Sequence, residues 1–415
     1  MNFKALGAKV IRHAHAGTLF PTALRFVASL VFRPAGLRVQ SVPLLLVRFA
    51  AYGIAMCLYP CVIAVGTVLL VHDLLIGRSP KKRAPLRLTS PTTSSVEIVI
   101  VNWNGAPLLQ QCLQSVVDAA SFSTVPTTVM LVDNGSSDES VQWTKINFPN
   151  VRILQLTHNH GFGEGNNLGA LESSADILIL LNNDMLVEKK FINPLIDALK
   201  VPGTFAATSQ ISMRPGVRQE ETGLTYGSFH GGRYRVLHAP VSTTVDEESA
   251  VPVFWAGGGA MAVSRQAFRE FGGFNELYAP FYWEDTDLSY RAWKAGLRVV
   301  LVPSSRVLHL HRATTSRFSP IMVGRVSRRN EYLFTWANLH DGIWIAENLL
   351  LTPLHIARDS IEAGFVIGIG SFLSAMWRLR FALHLRSETL IHSEITDRQL
   401  FALLADQQHV IHKDA

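Results

Sequence analysis

DILILLNNDM, residues 176–185, holds five consecutive aliphatic residues, Ile177 to Leu181, that stop abruptly at Asn182-Asn183-Asp184. An apolar run this short, closed by turn formers, reads as a strand buried on both faces. Three runs of the same kind precede it: EIVIV (97–101), TTVMLV (127–132) and VRILQL (151–156). Between them lie helical stretches near Pro107 to Ala120, from about Asp138, and over Glu164 to Ser173, and another helix begins near Val187. Strand and helix alternate four times at βαβ spacing, which predicts an α/β domain with a mostly parallel sheet and helices on both faces.

Ligands on such sheets gather at the carboxyl ends of the strands, and the polar clusters fall there. They are Asn102-Trp103-Asn104-Gly105, Asp133 to Asp138, His158 to Asn167, and Asn182-Asn183-Asp184. Asn, Asp, Gly and Ser also serve turns and N-caps; four clusters on one rim favour a site. Glycines 161, 163 and 165 give G-x-G-x-G rather than the dinucleotide fingerprint, and no acid follows at ribose-binding distance. A glycine-rich approach to a diphosphate remains. The Walker and H-E-x-x-H patterns are absent.

The chain has 415 residues, 48% hydrophobic and 17% charged, which fits two or three domains and is too apolar for a disordered chain. Its 38 Lys and Arg and 32 Asp and Glu are unevenly spread: residues 1–95 hold 12 of the former and a single acid, Asp73, leaving 26 and 31 beyond. This basicity brackets an apolar stretch instead of forming a face interleaved with aromatics, so anionic membrane lipid is expected as a partner and nucleic acid is not. Cys57, Cys61 and Cys112 have neither metal spacing nor an even-numbered framework, which suits a reducing compartment.

The apolar stretch, FAAYGIAMCLYPCVIAVGTVLLV (49–71), has 23 uncharged residues, enough to span a bilayer as a helix. It starts too late and lacks the cleavage pattern for a signal peptide. Pro60 at its centre would break or kink a helix, leaving a kinked single span or a re-entrant hairpin. Basic residues on both sides (Lys4, Lys9, Arg12, Arg25, Arg33, Arg38 and Arg48 before; Arg78, Lys81, Lys82, Arg83 and Arg87 after) pull both ends to the cytoplasm. Five segments are therefore expected: a basic N-terminal segment (1–48), the membrane segment (49–71), a Pro-, Ser- and Thr-rich linker (72–95), an α/β domain (96–312), and a helical region (313–415). In the last, residues 343–357 and 363–377 read as helices lying on the membrane or as a buried helical subdomain.

Taken in order, VNWNG, VDNGSSDES, NHGFGEGNNLGA, LLNNDM, GGGAMAVSRQAFREFGGFNE and FYWEDTDLSYRAWKAGLRVVLVPSSRVLH resemble inverting family 2 glycosyltransferases of the GT-A fold, and most of all their bacterial rhamnosyltransferase-like branch. The resemblance covers about residues 96–312. It implies a Rossmann-like GT-A domain, a nucleotide-diphosphate-sugar donor (dTDP- or UDP-linked), a divalent cation (Mg²⁺ or Mn²⁺), and a lipid-linked or polysaccharide acceptor in cell-surface glycan synthesis. The catalytic domain would face the cytoplasm from the inner membrane.

By the same resemblance Asp184 is the carboxylate of a reduced Asp-x-Asp motif, helped in holding metal by His309 or, alternatively, His311. Asp133 would read the nucleobase, or simply begin a turn capped by Ser136. Asn102, Asn104, Gly161, Asn167 and Asn183 would lie along the donor. The base is expected in Trp283-Glu284-Asp285, on Asp285 with Glu284 beside it, since displacement at the anomeric carbon needs a carboxylate opposite the leaving diphosphate. Acids there also suit a helix N-terminus, a reading that fits Asp287 better than Asp285. Gly258, Gly259 and Trp283 would meet the acceptor. A polyprenyl-phosphate sugar synthase and a catalytically silent membrane scaffold of the same fold are the two alternatives.

Overall fold

In a computed structural model the four apolar runs become parallel neighbours: β1 (Val96–Asn102), β2 (Thr127–Asp133), β3 (Arg152–Gln155) and β4 (Ile177–Asn182), in the order β3-β2-β1-β4. The structure describes residues 42–77, 93–213, 222–239, 249–310 and 318–413; His311, the basic residues up to Arg38, and Arg78 to Arg87 of the linker lie outside them. By compactness the chain divides at Ala50–Ala51. Only helical residues 42–50 of the first unit are described, and apart from the helix that crosses the division all that follows concerns the second.

Side chains alternate across β1 and sort into two cores. Ile98 and Ile100 face the helix Ala106–Phe122 through Leu109, Leu113 and Val116, with Leu131, Ile179 and Leu181 alongside. Val99 faces the other way, with Met130, Val132, Leu178, Leu180 and Phe205. Glu97, buried in β1, is neutralised by Arg152 at 2.7 Å.

The sheet continues through β5 (Met185–Val187), β6 (Thr204–Met213), β10 (Ala260–Ser264) and β11 (Arg298–His309), in the order β4-β10-β6-β11-β5. Strands β7 (Thr225–His230) and β8 (Arg233–His238) form a separate hairpin, and the short β9 (Val251–Pro252) pairs with β11. The expected mostly parallel sheet is corrected here. β10 runs antiparallel between β4 and β6, and β11 is antiparallel to β5 and β9, so only the β3-β2-β1-β4 half and the β6–β11 pair are parallel. The reason is connectivity. Helical crossovers join the first four strands in one direction, whereas β10 arrives only after the β7–β8 hairpin and β9, a route long enough to return a strand in either direction. Val187, expected to open a helix, instead ends β5, and the helix follows at Ile192–Lys200.

The apolar stretch 49–71 is not one helix. Val42–Cys57 ends at Leu58, and Tyr59–Gly77 begins with Pro60 in its first turn, where a missing N–H costs nothing. Tyr59–Ile76 is, among the described residues, the helix long and apolar enough to cross a membrane. The pair Phe365–Trp377 and Leu379–His392 reaches that length only together and is bent by 67°. Tyr59–Gly77 packs on Gly342–Ala363 and Leu379–His392. Asp73, the lone acid of the first 95 residues, there pairs with Nε and Nη2 of fully buried Arg386, whose Nη1 donates to Trp336 O at 2.8 Å.

Candidate active site

Register aligns the polar clusters on one rim. Asn102 pairs with Asp133 across β1–β2, and Val101 with Asn182 across β1–β4. Asn183 Nδ2 donates to Asn102 Oδ1 at 2.8 Å, and Asn102 Nδ2 to Ser136 Oγ at 3.4 Å, which stitches three strand ends together through buried amides. Asn104, in the left-handed region at φ 52°, accepts from Ser137 N at 2.7 Å and Asp138 N at 3.2 Å. Asp133 Oδ1 accepts from Ser136 N at 3.2 Å; its carboxylate is buried at the rim and also caps the turn.

Next to Asn183, buried Asp184 Oδ2 lies 3.1 Å from His309 Nε2, brought there by the β11–β5 pairing of His309 with Met185. Asp184 Oδ1 is buried with no hydrogen-bond partner among the described residues. A buried carboxylate oxygen left without a partner costs free energy unless something binds it. Carboxylate oxygen with imidazole suits Mg²⁺ or Mn²⁺, so the two residues fit the implied cation. Among the described residues no third His, Cys, Asp or Glu joins them, so phosphate oxygens and water would complete the shell.

The other wall is built by Gly257 to Ala260 and the turn before the helix Glu284–Lys294. Asn182 N donates to Gly259 O at 2.9 Å, and a Cβ on Gly259 would come within 2.6 Å of the Asn182 side chain, so close approach to β4 requires glycine there. Gly258 N donates to Asp285 Oδ2 at 3.1 Å, and Thr286 N to Asp285 Oδ1 at 2.7 Å, so Asp285 is the carboxylate that faces the glycine run. Burial raises the Asp285 carboxyl above its ordinary range while these N–H bonds pull it back. Glu284 is raised well above its range, by burial first and then by Asp285, and its Oε2 is buried with no hydrogen-bond partner among the described residues.

Glu284 lines a cavity of about 440 Å³ with His158, His160, Tyr278, Pro280, Phe281 and Arg378. Tyr282 and Trp283, at φ 70° and 80°, are forced left-handed immediately before it; such strain clusters at functional sites. Trp283 packs on Phe334 at 4.9 Å and is half-buried. Asp287 accepts from Tyr278 Oη, Asn338 Nδ2 and Arg291 Nε at 2.7–2.8 Å, a wholly internal network.

Two expected donor contacts are otherwise occupied. Asn167 Nδ2 donates to Phe274 O at 2.8 Å and its Oδ1 accepts from Phe274 N at 2.9 Å, so this amide braces the 274 loop. Gly161, at φ 86°, closes the 158–161 loop against Pro280 O and receives Asn134 Nδ2 on its own carbonyl. Asn330 had no place in the sequence reading. Its Nδ2 lies 2.6, 3.0 and 2.9 Å from the carbonyls of Tyr278, Phe281 and Tyr282, and so holds the strained turn. Its only signal is polarity, because Arg329 and Asn330 are buried on the Pro320–Asn338 helix beside Val326, Leu333 and Phe334.

The profile of Glycosyl transferase family 2 matches residues 97–253, and that of Glycosyl transferase family group 2 matches residues 177–385. N-acetylglucosaminyl-diphospho-decaprenol L-rhamnosyltransferase of Mycobacterium tuberculosis is 30% identical over 329 residues, covering 73% of this chain and 95% of that protein. The chain is a family 2 glycosyltransferase. Low-salt glycan biosynthesis hexosyltransferase Agl10 of Haloferax volcanii is 23% identical to this glycosyltransferase over 242 residues, 57% of this chain and 74% of that one. Among solved structures, GalNAc-T7 with UDP, GalNAc and Mn²⁺ aligns at TM-score 0.49 and 17% identity, covering 75% of this chain and 61% of that one. The glycosyltransferase is rhamnosyltransferase-like in sequence, on a mixed α/β fold.

Proposed function

We propose that this glycosyltransferase works with inversion and a divalent cation, moving a sugar from a dTDP- or UDP-linked donor to a saccharide carried on a lipid. The setting is the cytoplasmic face of the inner membrane during cell-surface glycan assembly. The observation that carries the reading is Asp285. Its carboxylate is held by Gly258 N at 3.1 Å, on a glycine run whose next residue bonds the strand end leading into Asp184.

Asp285 takes the proton from the acceptor hydroxyl as that oxygen bonds the anomeric carbon, and the bond from that carbon to the diphosphate breaks on the opposite face. Its raised pKa strengthens it as a base, and the two N–H donors fix its direction. Asp184 and His309 would hold Mg²⁺ or Mn²⁺, which supplies charge neutralisation to the departing nucleoside diphosphate. Glu284, whose carboxyl is pushed well above its ordinary range by burial and then by Asp285, lines the adjoining cavity where the acceptor would lie. Asn102, Asn104, Asn183 and Asp133 shape the donor rim, whereas Asn167 and Gly161 position the loops that face it.

A lipid-linked acceptor is supported by the mycobacterial relative, whose name gives N-acetylglucosaminyl-diphospho-decaprenol as its acceptor, and by the apolar Tyr59–Ile76 helix. The test is a donor screen with dTDP-rhamnose and UDP-sugars on detergent-solubilised full chain with Mn²⁺, reading nucleoside diphosphate release. Asp285→Asn should lower turnover by at least ~10²-fold while donor binding survives; unchanged turnover removes Asp285 as the base.

A further inference from the structure

Arg325 and Arg329 stand one turn apart on Pro320–Asn338, and Arg378 follows Phe365–Trp377, the helix packed against it. Ser371 Oγ donates to Arg325 O at 3.0 Å, which ties the two helices at this level. Arg329 donates to Ala279 O, and Arg378 to Leu277 O at 3.3 Å, so two guanidinium groups grip the segment that leads to Glu284. Arg378 also lines the Glu284 cavity. We infer that Arg325, Arg329 and Arg378 seat the diphosphate of a prenyl-diphosphate-linked acceptor, with its saccharide in that cavity. The inference rests on the lipid-linked acceptor proposed above and names the part of that acceptor which this chain grips.

Charge pairing around these helices carries it. Arg233 and Arg328 are neutralised by Glu331 and Asp359. Arg325, Arg329 and Arg378 form no ion pair among the described residues, although Glu164, Glu276 and Glu284 line the same cavity. Burial first, and then repulsion from Arg378 and Arg325, pulls Arg329 down to about 10. Arg329, whose Nε and Nη2 are held by Asn330 Oδ1 and whose Nη2 also reaches Ala279 O, is repelled by the other two, and a multivalent anion relieves that repulsion through charge-assisted bonds to Arg325 and Arg378. The donor's diphosphate has its own provision at Asp184 and His309, so a second anion seat suits the second substrate. Beside it Trp377 is 88% exposed, and Ile321, Met322 and Leu373 are also exposed, an apolar path for a prenyl chain.

Binding of farnesyl diphosphate to the full chain in neutral detergent, measured by calorimetry, tests the seat. Arg325→Gln and Arg378→Gln should each raise Kd at least ~10-fold, leave donor binding unchanged, and raise the KM of a saccharide-diphospho-prenol more than they lower kcat. Farnesol should not compete. Wild type that fails to bind farnesyl diphosphate, or variants that bind it equally, overturns the inference. So do variants that lose only their association with phosphatidylglycerol vesicles, since the cations would then serve bulk lipid. Arginine-dependent binding, with no turnover of any saccharide-diphospho-prenol, would keep the seat and refute the proposed acceptor.

Discussion

Asn330→Asp is the sharpest perturbation available, because it changes one group without changing shape. The Asn330 amide nitrogen faces three carbonyls at 2.6–3.0 Å, those of Tyr278, Phe281 and Tyr282. Two hydrogens shared among three acceptors are worth about 2–3 kcal/mol net, at about 1 kcal/mol per bond, and the buried carbonyls left behind add to the loss. The turn they hold contains Tyr282 and Trp283 at φ 70° and 80°, each costing about 1–3 kcal/mol in local strain. Without the amide donor, a carboxylate would face the carbonyls, the restraint would fall below the strain, and the turn would relax. Asp285, two residues beyond Trp283, would move with it. A displacement of about 1 Å at a reacting group can cost ~10²-fold in rate. The expected result is kcat reduced by ~10–10²-fold, with donor binding nearly unchanged and a melting temperature lowered by several degrees. Initial rates and thermal melts in detergent measure both. An Asn330→Asp enzyme with wild-type kcat would falsify the claim that this amide holds the catalytic turn.

Glu284→Gln tests the buried acid through pH. Because its folded-state pKa is raised above the ordinary 4.5, the folded protein binds the proton more tightly than the unfolded chain. That stabilisation is complete below the ordinary value and is lost as pH rises through the raised one. The variant should therefore melt above wild type at pH 8, with the gain shrinking toward pH 4; an equal gain at both would count against a buried proton. For Asp184→Asn, donor binding should drop to the level of chelator-treated wild type and stay there when Mn²⁺ is added back, and recovery with Mn²⁺ would remove Asp184 as a ligand. Asp73→Asn breaks the pair with fully buried Arg386. Loss of one partner of such a pair costs about 3–5 kcal/mol when both are fully buried, and Asp73 is 19% exposed, so about 2–3 kcal/mol is expected. Protease sensitivity of the Tyr59–Gly77 helix should rise with it, whereas an unchanged digestion pattern would mean that the clamp is dispensable.

How far the site could be read from the chain depends on whether each contact is local. Asn102, Asp133 and Asn182 each close a strand, and three parallel strands in order must bring their ends to one rim, so pattern alone suffices. Asp184 with His309 needed more. They are 125 residues apart and meet through the antiparallel β11–β5 pairing, which no periodicity announces; the resemblance to known transferases supplied it. Asn167 and Gly161 show the opposite failure. Their residue types suit phosphate or ribose, but in the fold the amide serves Phe274 and the glycine makes room for Pro280 O.

The helices after residue 312 were legible as helices, but their task was not. Read by composition they are apolar surfaces for a membrane, yet Asn330 and Arg329 face the other way and grip the carbonyls of Tyr278 to Tyr282. A buried polar group is kept where its partners repay desolvation, and those partners lie 48–52 residues away, beyond what a helical window samples. Asp73, a single acid in a basic, apolar segment, follows the same logic: its partner Arg386 lies 313 residues on. Two buried polar contacts, Asn330 with the catalytic turn and Asp73 with Arg386, thus run in series from Glu284 to the apolar Tyr59–Gly77 helix through the same C-terminal helices. The turn before Asp285 and the apolar Tyr59–Gly77 helix are therefore tied to one helix, Pro320–Asn338, the first through Asn330 and the second through Arg386, which donates to Trp336 O while holding Asp73.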